Sequence, residues 1–144
     1  MTETTEPPSP SHDTPPELSI VAPAHNEQDN IAGLVGDIDR ALSPLDLRFE
    51  LIIINDGSTD TTEQCIAEQM TRHRWVRGLR MTQTPQGKGN GQSAAFYAGL
   101  REARGPWIAL LDADRQNDPA DIPAMLEKQK QSGADMIQGD RSAD

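Results

Sequence analysis

Two hydrophobic patterns alternate along the chain from residue 18 onward: short apolar runs, and longer stretches with apolar residues at helical spacing. Leu18-Ser-Ile-Val-Ala-Pro23 is an apolar run ended by proline and predicts a strand. Ile31, Leu34, Val35, Ile38, Ala41 and Leu42 then recur on one face of a helix, which Pro44 stops. Phe49-Glu-Leu-Ile-Ile-Ile54 predicts a second strand, nearly all apolar, as suits a strand covered on both faces. Thr59 or Asp60 can cap a helix carrying Cys65, Ile66 and Met70. A weaker strand is expected over 76–81, an Ala-rich helix over 93–103 and a fourth strand over 107–111. Pro119 opens a helix through Ile122, Met125 and Leu126, and Met136 and Ile137 begin a fifth strand. This alternation predicts an α/β, Rossmann-like fold, with a mainly parallel sheet, right-handed crossovers and flanking helices.

The pattern does not extend to the N-terminus. Residues 1–17 hold five prolines, four acidic residues and no Lys or Arg, and cannot bury enough apolar area to offset ordering entropy. A disordered tail over 1–17 and one domain over 18–144 are expected, in line with the chain length of 144.

The formal net charge of −10 is the wrong sign for a nucleic-acid binder, so no nucleic-acid partner is expected. Most of that acidity reads as solvated surface, unless carboxylates gather to hold a cation. Cys65 is the only cysteine, which excludes an intrachain disulfide and suits a small buried hydrophobe. No apolar run approaches the roughly 18 residues of a membrane span, and the N-terminus lacks the basic and apolar regions of a secretory signal. By default these features point to the cytoplasm.

In an open parallel sheet, ligands bind beyond the carboxyl ends of the strands, where this chain concentrates its polar groups. The first strand leads into His25-Asn26-Glu27, the second into Asn55-Asp56-Gly57-Ser58-Thr59-Asp60, and the fourth into Asp112-Ala113-Asp114-Arg115-Gln116. Helix caps account for Ser58, Thr59 and Asp60 individually, but three clusters at one sheet edge suggest a site. Strand alternation would turn Asp112 and Asp114 to the same side. Two carboxylates sharing a site repel unless a cation or proton intervenes, and Mg2+ commonly combines one or two carboxylates with substrate phosphates. Gln116 could add an amide oxygen. Solvated loop aspartates are the plain alternative. An EF-hand is excluded, because Asn117 stands where glycine is required and Pro123 where glutamate is required.

Gly87-Lys88-Gly89-Asn90-Gly91 lacks the spacing of a Walker loop or a dinucleotide fingerprint. It reads as a flexible turn, or as a phosphate cradle in which Lys88 and the following helix start neutralise a diphosphate. No metal-ligand spacing links His12, His25 and His73, so imidazole catalysis is not expected. Arg72, Arg74, Arg77 and Arg80 read as a solvated face.

In this order the motifs resemble the family 2 glycosyltransferases of the GT-A fold. Ile20-Val-Ala-Pro-Ala-His-Asn-Glu27 is similar to their opening strand and P-x-x-N-E turn, Ile53-Ile-Asn-Asp-Gly-Ser-Thr-Asp60 to their DDGSxD motif, and Leu110-Leu-Asp-Ala-Asp114 to their D-x-D metal motif. Gly91-Gln-Ser-Ala-Ala95, Asp112-Ala-Asp-Arg-Gln-Asn-Asp-Pro119 and Met136-Ile-Gln-Gly-Asp-Arg141 resemble segments of dolichol- and undecaprenyl-phosphate glycosyltransferases. The resemblance spans about residues 18–141.

It implies that Glu27 and Asp56 contact the base or ribose of a sugar nucleotide, with Pro23, Asn26, Ser58, Lys88 and Ala113 also in that site. Asp112 would lie near ribose and metal as a catalytic residue with Asp114, Asp114 and Gln116 would bind Mg2+ or Mn2+ with it, and Arg141 would approach phosphate. Asn55 replaces the first aspartate of DDGS, and Arg115 replaces a commonly apolar residue. The implied reaction moves a sugar from a nucleotide-diphospho-sugar to an acceptor, polyprenyl phosphate, by metal-assisted inverting displacement at the inner membrane face. Family enzymes continue with an acceptor-binding half, so the chain is expected to be an incomplete GT-A domain. The alternative expectation is a non-catalytic nucleotide-sugar-binding fragment or subunit that acts with a partner chain or as a homo-oligomer. A sugar nucleotidyltransferase would need a glycine-rich loop after the first strand, where this chain has Ala24-His25-Asn26-Glu27.

Overall fold

The computed structural model describes residues 14–82 and 90–139. The elements run β1 (Leu18–Ala24), α1 (Ile31–Leu42), β2 (Phe49–Asn55), α2 (Thr62–Arg72), β3 (Val76–Arg80), α3 (Gln92–Glu102), β4 (Trp107–Leu110), a 3-10 turn (Pro119–Asp121) and α4 (Ile122–Ser132). The four strands form one parallel sheet in the order β3-β2-β1-β4.

Alternation divides the inner strands between two apolar layers. Leu18, Ile20, Ala22, Leu51 and Ile53 face α1 and α2, and pack with Ile31, Leu34, Val35, Ile38 and Ile66. Val21, Ile52 and Ile54 face the opposite way, toward Ala95 of α3. The nearly continuous apolar sequences of β1 and β2 follow from this double coverage.

Helix α3 lies close to the sheet because of Gly99. A Cβ there would meet Val21 Cγ1 and stand 2.7 Å from Ile54 Cδ1, both on fully buried side chains. Gly99→Ala is therefore expected to lose about 1–3 kcal/mol of stability despite the better helix propensity of alanine. Chemical denaturation would check it, and a stabilised Gly99→Ala protein would contradict the packing assigned here.

Several expectations are corrected. Met136 and Ile137 do not start a strand: among the described residues the sheet has four, and β4 pairs only with β1. A strand needs a neighbour for its N–H and C=O groups, and Met136 is instead 75% exposed. Strand β4 ends at Leu110, so Asp112 and Asp114 lie in a turn beyond it. Arg77 is no solvated side chain, since it pairs with the buried Glu50 at 3.1 Å. Cys65 is half-buried against the core, with its thiol 3.6 Å from the Gln28 carbonyl. Of the expected tail, residues 1–13 lie outside the described residues; next to β1, the Glu17 N–H donates to the Arg48 carbonyl at 2.8 Å, and Arg48 Nε donates to the Pro15 carbonyl.

Candidate functional site at the carboxyl edge of the sheet

The chain runs outward from β1 to β3, then returns to place β4 on the other side of β1. That reversal between β1 and β4 is where open parallel sheets form their ligand crevice. The two strands pair from Leu18 with Trp107 to Val21 with Leu110 and then part. Pro23 suits the opening. The Val21 carbonyl accepts from Leu111 on the β4 side and the Ala24 carbonyl from Asp56 on the β2 side. By alternation the missing N–H of Pro23 falls on the β4 side, beyond the end of that ladder.

A cleft of about 420 Å³ occupies this opening, lined by residues 23–25, Glu27, Asp56, Gly91, Gln92 and residues 112–114. Six residues singled out from sequence converge there: Pro23, Glu27, Asp56, Asp112, Ala113 and Asp114. Asn26, Ser58 and Gln116 do not line it, and Lys88 and Arg141 lie outside the described residues. Gln116 borders the adjoining groove beside β4, although its backbone N–H donates to Asp114 Oδ1 at 3.0 Å.

Asn26 and Ser58 bind the loops after β1 and β2 together. The Asn26 N–H donates to Ser58 Oγ, and Asn26 Oδ1 accepts from the Thr59 N–H at 2.8 Å. Asn26 adopts φ 53°, a left-handed conformation that asparagine tolerates better than most residues. The Glu27 N–H donates to Thr62 Oγ1, and Thr61 donates to Gln28 Oε1. The N-cap of α2 is Thr61, one residue beyond the expected Thr59 or Asp60, and Asp60 instead accepts from the Thr62 N–H at the first residue of the helix. Burial pushes the Asp60 carboxyl up, but bonds from Thr62 and the Gln28 N–H outweigh it and hold it below 3.8. His25 Nδ1 lies 2.7 Å from the Asp56 carbonyl, which can only accept, so Nδ1 carries the proton and the ring serves the loop.

Asp56 is only 5% exposed, and its carboxylate accepts from the backbone N–H groups of Asn90 and Gly91 just before α3. Gln92 is a lining residue that sequence reasoning did not assign to the site: its Nε2 donates to Asp112 Oδ1. Its motif was visible, but its partner lies 20 residues away. On the far side, the Asp112 N–H donates to Asn117 Oδ1 at 3.1 Å, closing the turn that carries both aspartates.

The described lining thus holds four carboxylates, on Glu27, Asp56, Asp112 and Asp114, and no Lys or Arg. So much negative charge facing one cleft calls for a cation. Among the described residues, no three His, Cys, Asp or Glu side chains converge tightly enough to enclose a metal. An all-oxygen set supplying one or two carboxylates fits a hard divalent ion that completes its shell from phosphate and water.

The model of glycosyl transferase family 2 matches residues 19–144. The chain belongs to this family. It is 37% identical over 123 residues to the dodecaprenyl-phosphate galacturonate synthase of Rhizobium johnstonii, covering 85% of this chain and 35% of that protein. It is 34% identical over 111 residues to the undecaprenyl-phosphate 4-deoxy-4-formamido-L-arabinose transferase of Klebsiella pneumoniae, covering 77% and 33%. Among solved structures, the mannosyltransferase PcManGT of Pyrobaculum calidifontis, in complex with GDP-Man and Mn2+, superposes with a TM-score of 0.62 at 22% identity over 83% of this chain and 34% of that one. The fold is that of GT-A glycosyltransferases, as the motif order implied. This family 2 chain spans about a third of the length of the curated relatives it matches. Among its described residues, no helix is long and apolar enough to cross a membrane.

Proposed function

We propose that the chain forms the donor site of a glycosyltransferase, binding a nucleotide-diphospho-sugar and Mg2+ or Mn2+ in the cleft between β1 and β4. The observation that carries this reading is the convergence of Glu27, Asp56, Asp112 and Asp114 at the point where the strand order reverses. Asp112 and Asp114 hold the cation, and Glu27 and Asp56 recognise the nucleoside. When bound, the cation acts as a Lewis acid that stabilises charge developing on the leaving diphosphate. The chain's own groups bind and orient the donor. Gln92 fixes the Asp112 carboxylate, and the amino end of α3, at Gly91 and Gln92, faces the cleft with a positive dipole suited to phosphate.

Names of the relatives favour polyprenyl phosphate as the acceptor, and a lipid acceptor would place the reaction at a membrane surface, read here as the inner face. Its phosphate oxyanion would attack the anomeric carbon as the bond from that carbon to the nucleoside diphosphate breaks, with inversion. An acceptor that is already anionic has little need of a general base, consistent with the loop-bound role of His25.

The test is titration of UDP- and GDP-sugars with and without Mn2+, followed by assay of transfer to polyprenyl phosphate. Metal-dependent binding that Asp114→Ala removes is expected. No metal-dependent binding in wild type, or binding unchanged in Asp114→Ala, would overturn the site. Binding without transfer would make the chain a donor-binding subunit that needs further protein for catalysis.

A further inference from the structure

Arg115 sits directly after Asp114, inside the turn that carries the two cleft aspartates, and the sequence offers no reason for an arginine there. It is one of two described non-glycine residues with positive φ, at 67°. A left-handed conformation is unfavourable for such a residue and persists where surrounding contacts fix it. The contacts here are specific. Arg115 Nε donates to Asp37 Oδ2 at 3.0 Å and its Nη2 to Asp37 Oδ1 at 3.2 Å, a two-pronged pairing with α1. The guanidinium lies against Gly33, one turn earlier on the same helix: a Cβ at Gly33 would stand 2.6 Å from Arg115 Cζ and 2.8 Å from Nε. Asp37 is held in turn by Arg40 at 2.5 Å.

Helix α1 is a firm anchor, because Ile31, Leu34, Val35 and Ile38 are fully buried. The turn is fastened on both sides of Arg115, by the Asn117 side chain on the Asp112 N–H and the Gln116 N–H on Asp114 Oδ1. Ala113 seats the turn on the apolar layer beneath α1, and the arginine fork is the polar tie that fixes how the turn is set against that helix.

We propose that Arg115, clamped to Asp37 across Gly33, is a positioning residue for the cation site: it sets the turn so that Asp112 and Asp114 present their carboxylates to one ion. The inference rests on the donor-site reading above. Both members of the pair stay partly open to solvent, with Arg115 41% and Asp37 23% exposed. A pair this open to solvent adds little to global stability. Groups that orient metal ligands, by contrast, typically change affinity by roughly 10- to 100-fold when removed.

The experiment is Mn2+ binding to the intact chain, read as free Mn2+ by electron paramagnetic resonance, with UDP and separately with GDP present. Wild type, Arg115→Ala, Asp37→Ala, the double variant and Gly33→Ala are compared, each with a thermal melt. Arg115→Ala and Asp37→Ala are expected to bind Mn2+ roughly 10- to 100-fold more weakly, with the double variant no worse than either single. Gly33→Ala, which favours the helix but displaces the guanidinium tip, is expected to weaken Mn2+ binding without lowering the melting temperature. Wild-type affinity in Arg115→Ala and Gly33→Ala, or additive losses in the double variant, would overturn the proposal. Failure of wild type itself to bind Mn2+ with either nucleotide would overturn the donor-site reading first, and this inference with it.

Discussion

Glu50→Ala is expected to lower the unfolding free energy by about 3 kcal/mol, more than any other single carboxylate removal among the described residues. Glu50 is 2% exposed near the start of β2, yet it is ionised and fully engaged. Its Oε1 accepts from Ser19 Oγ at 2.8 Å and the Arg104 N–H at 2.9 Å, and its Oε2 from Arg77 and from Arg104 Nε, both at 3.1 Å. Ser19 Oγ passes the connection on by accepting from the Gly105 N–H. One carboxylate therefore joins β1, β2, β3 and the link between α3 and β4. Breaking a buried pair usually costs about 3–5 kcal/mol. The lower end applies because Arg77 and Arg104, 30% and 49% exposed, can turn to water. For a domain of this size the melting temperature should fall by roughly 10 °C. An unchanged melting curve would show that the network is only decorative.

The same residue sets an acid limit. Burial pushes the Glu50 carboxyl up, but the Arg104 backbone N–H, the Ser19 hydroxyl and the two guanidinium groups together hold it below its ordinary value of 4.5. A carboxyl depressed in the folded state stabilises fully above the unfolded value and loses that stabilisation as pH falls through the folded one. The gap between wild type and Glu50→Gln should thus be widest near neutrality and shrink below about pH 4.5. A gap that stays constant down to pH 3 would contradict it.

How much of this was legible in the sequence depended on how local each cause is. Strands β1 and β2 announced themselves because both faces are covered, so their residues are apolar without alternation. The carboxyl-edge clusters were legible for a similar reason: the strand end, a local feature, places Pro23, Asp56 and Asp112 at the cleft. Asp112 and Asp114 line one cleft, but alternation along β4 is not the cause, since a turn closed by Asn117 brings them together. What stayed hidden was long-range pairing. Glu50 passed for a polar residue at the edge of an apolar run because its partners lie 27, 31 and 54 residues away. Arg115 was opaque because Asp37 is 78 residues distant. Asn26 and Ser58 belonged to the right motifs, but motif membership could not separate a group lining the cleft from one holding the loops beside it.

Asp56 poses that question most sharply, and its substitution should have the second large effect. Asp56→Ala removes the acceptor for the N–H groups of Asn90 and Gly91, at 2.9 and 3.1 Å, which set the start of α3. Charge-assisted bonds to a buried carboxylate are worth about 1.5–3 kcal/mol, so roughly 2 kcal/mol of stability should be lost. If Asp56 also contacts the nucleoside, affinity for UDP or GDP with Mn2+ should fall roughly 10- to 100-fold, the equivalent of a charged hydrogen bond. Asp56→Asn separates the two roles. An amide oxygen can still accept from one of the two N–H groups, while the charge is gone. Most of the stability should return in Asp56→Asn, and the nucleotide affinity should not. If a thermal melt and a nucleotide titration both recover in the asparagine variant, Asp56 serves only as the anchor of α3. Donor recognition would then pass to Glu27 and the aspartates of the turn after β4.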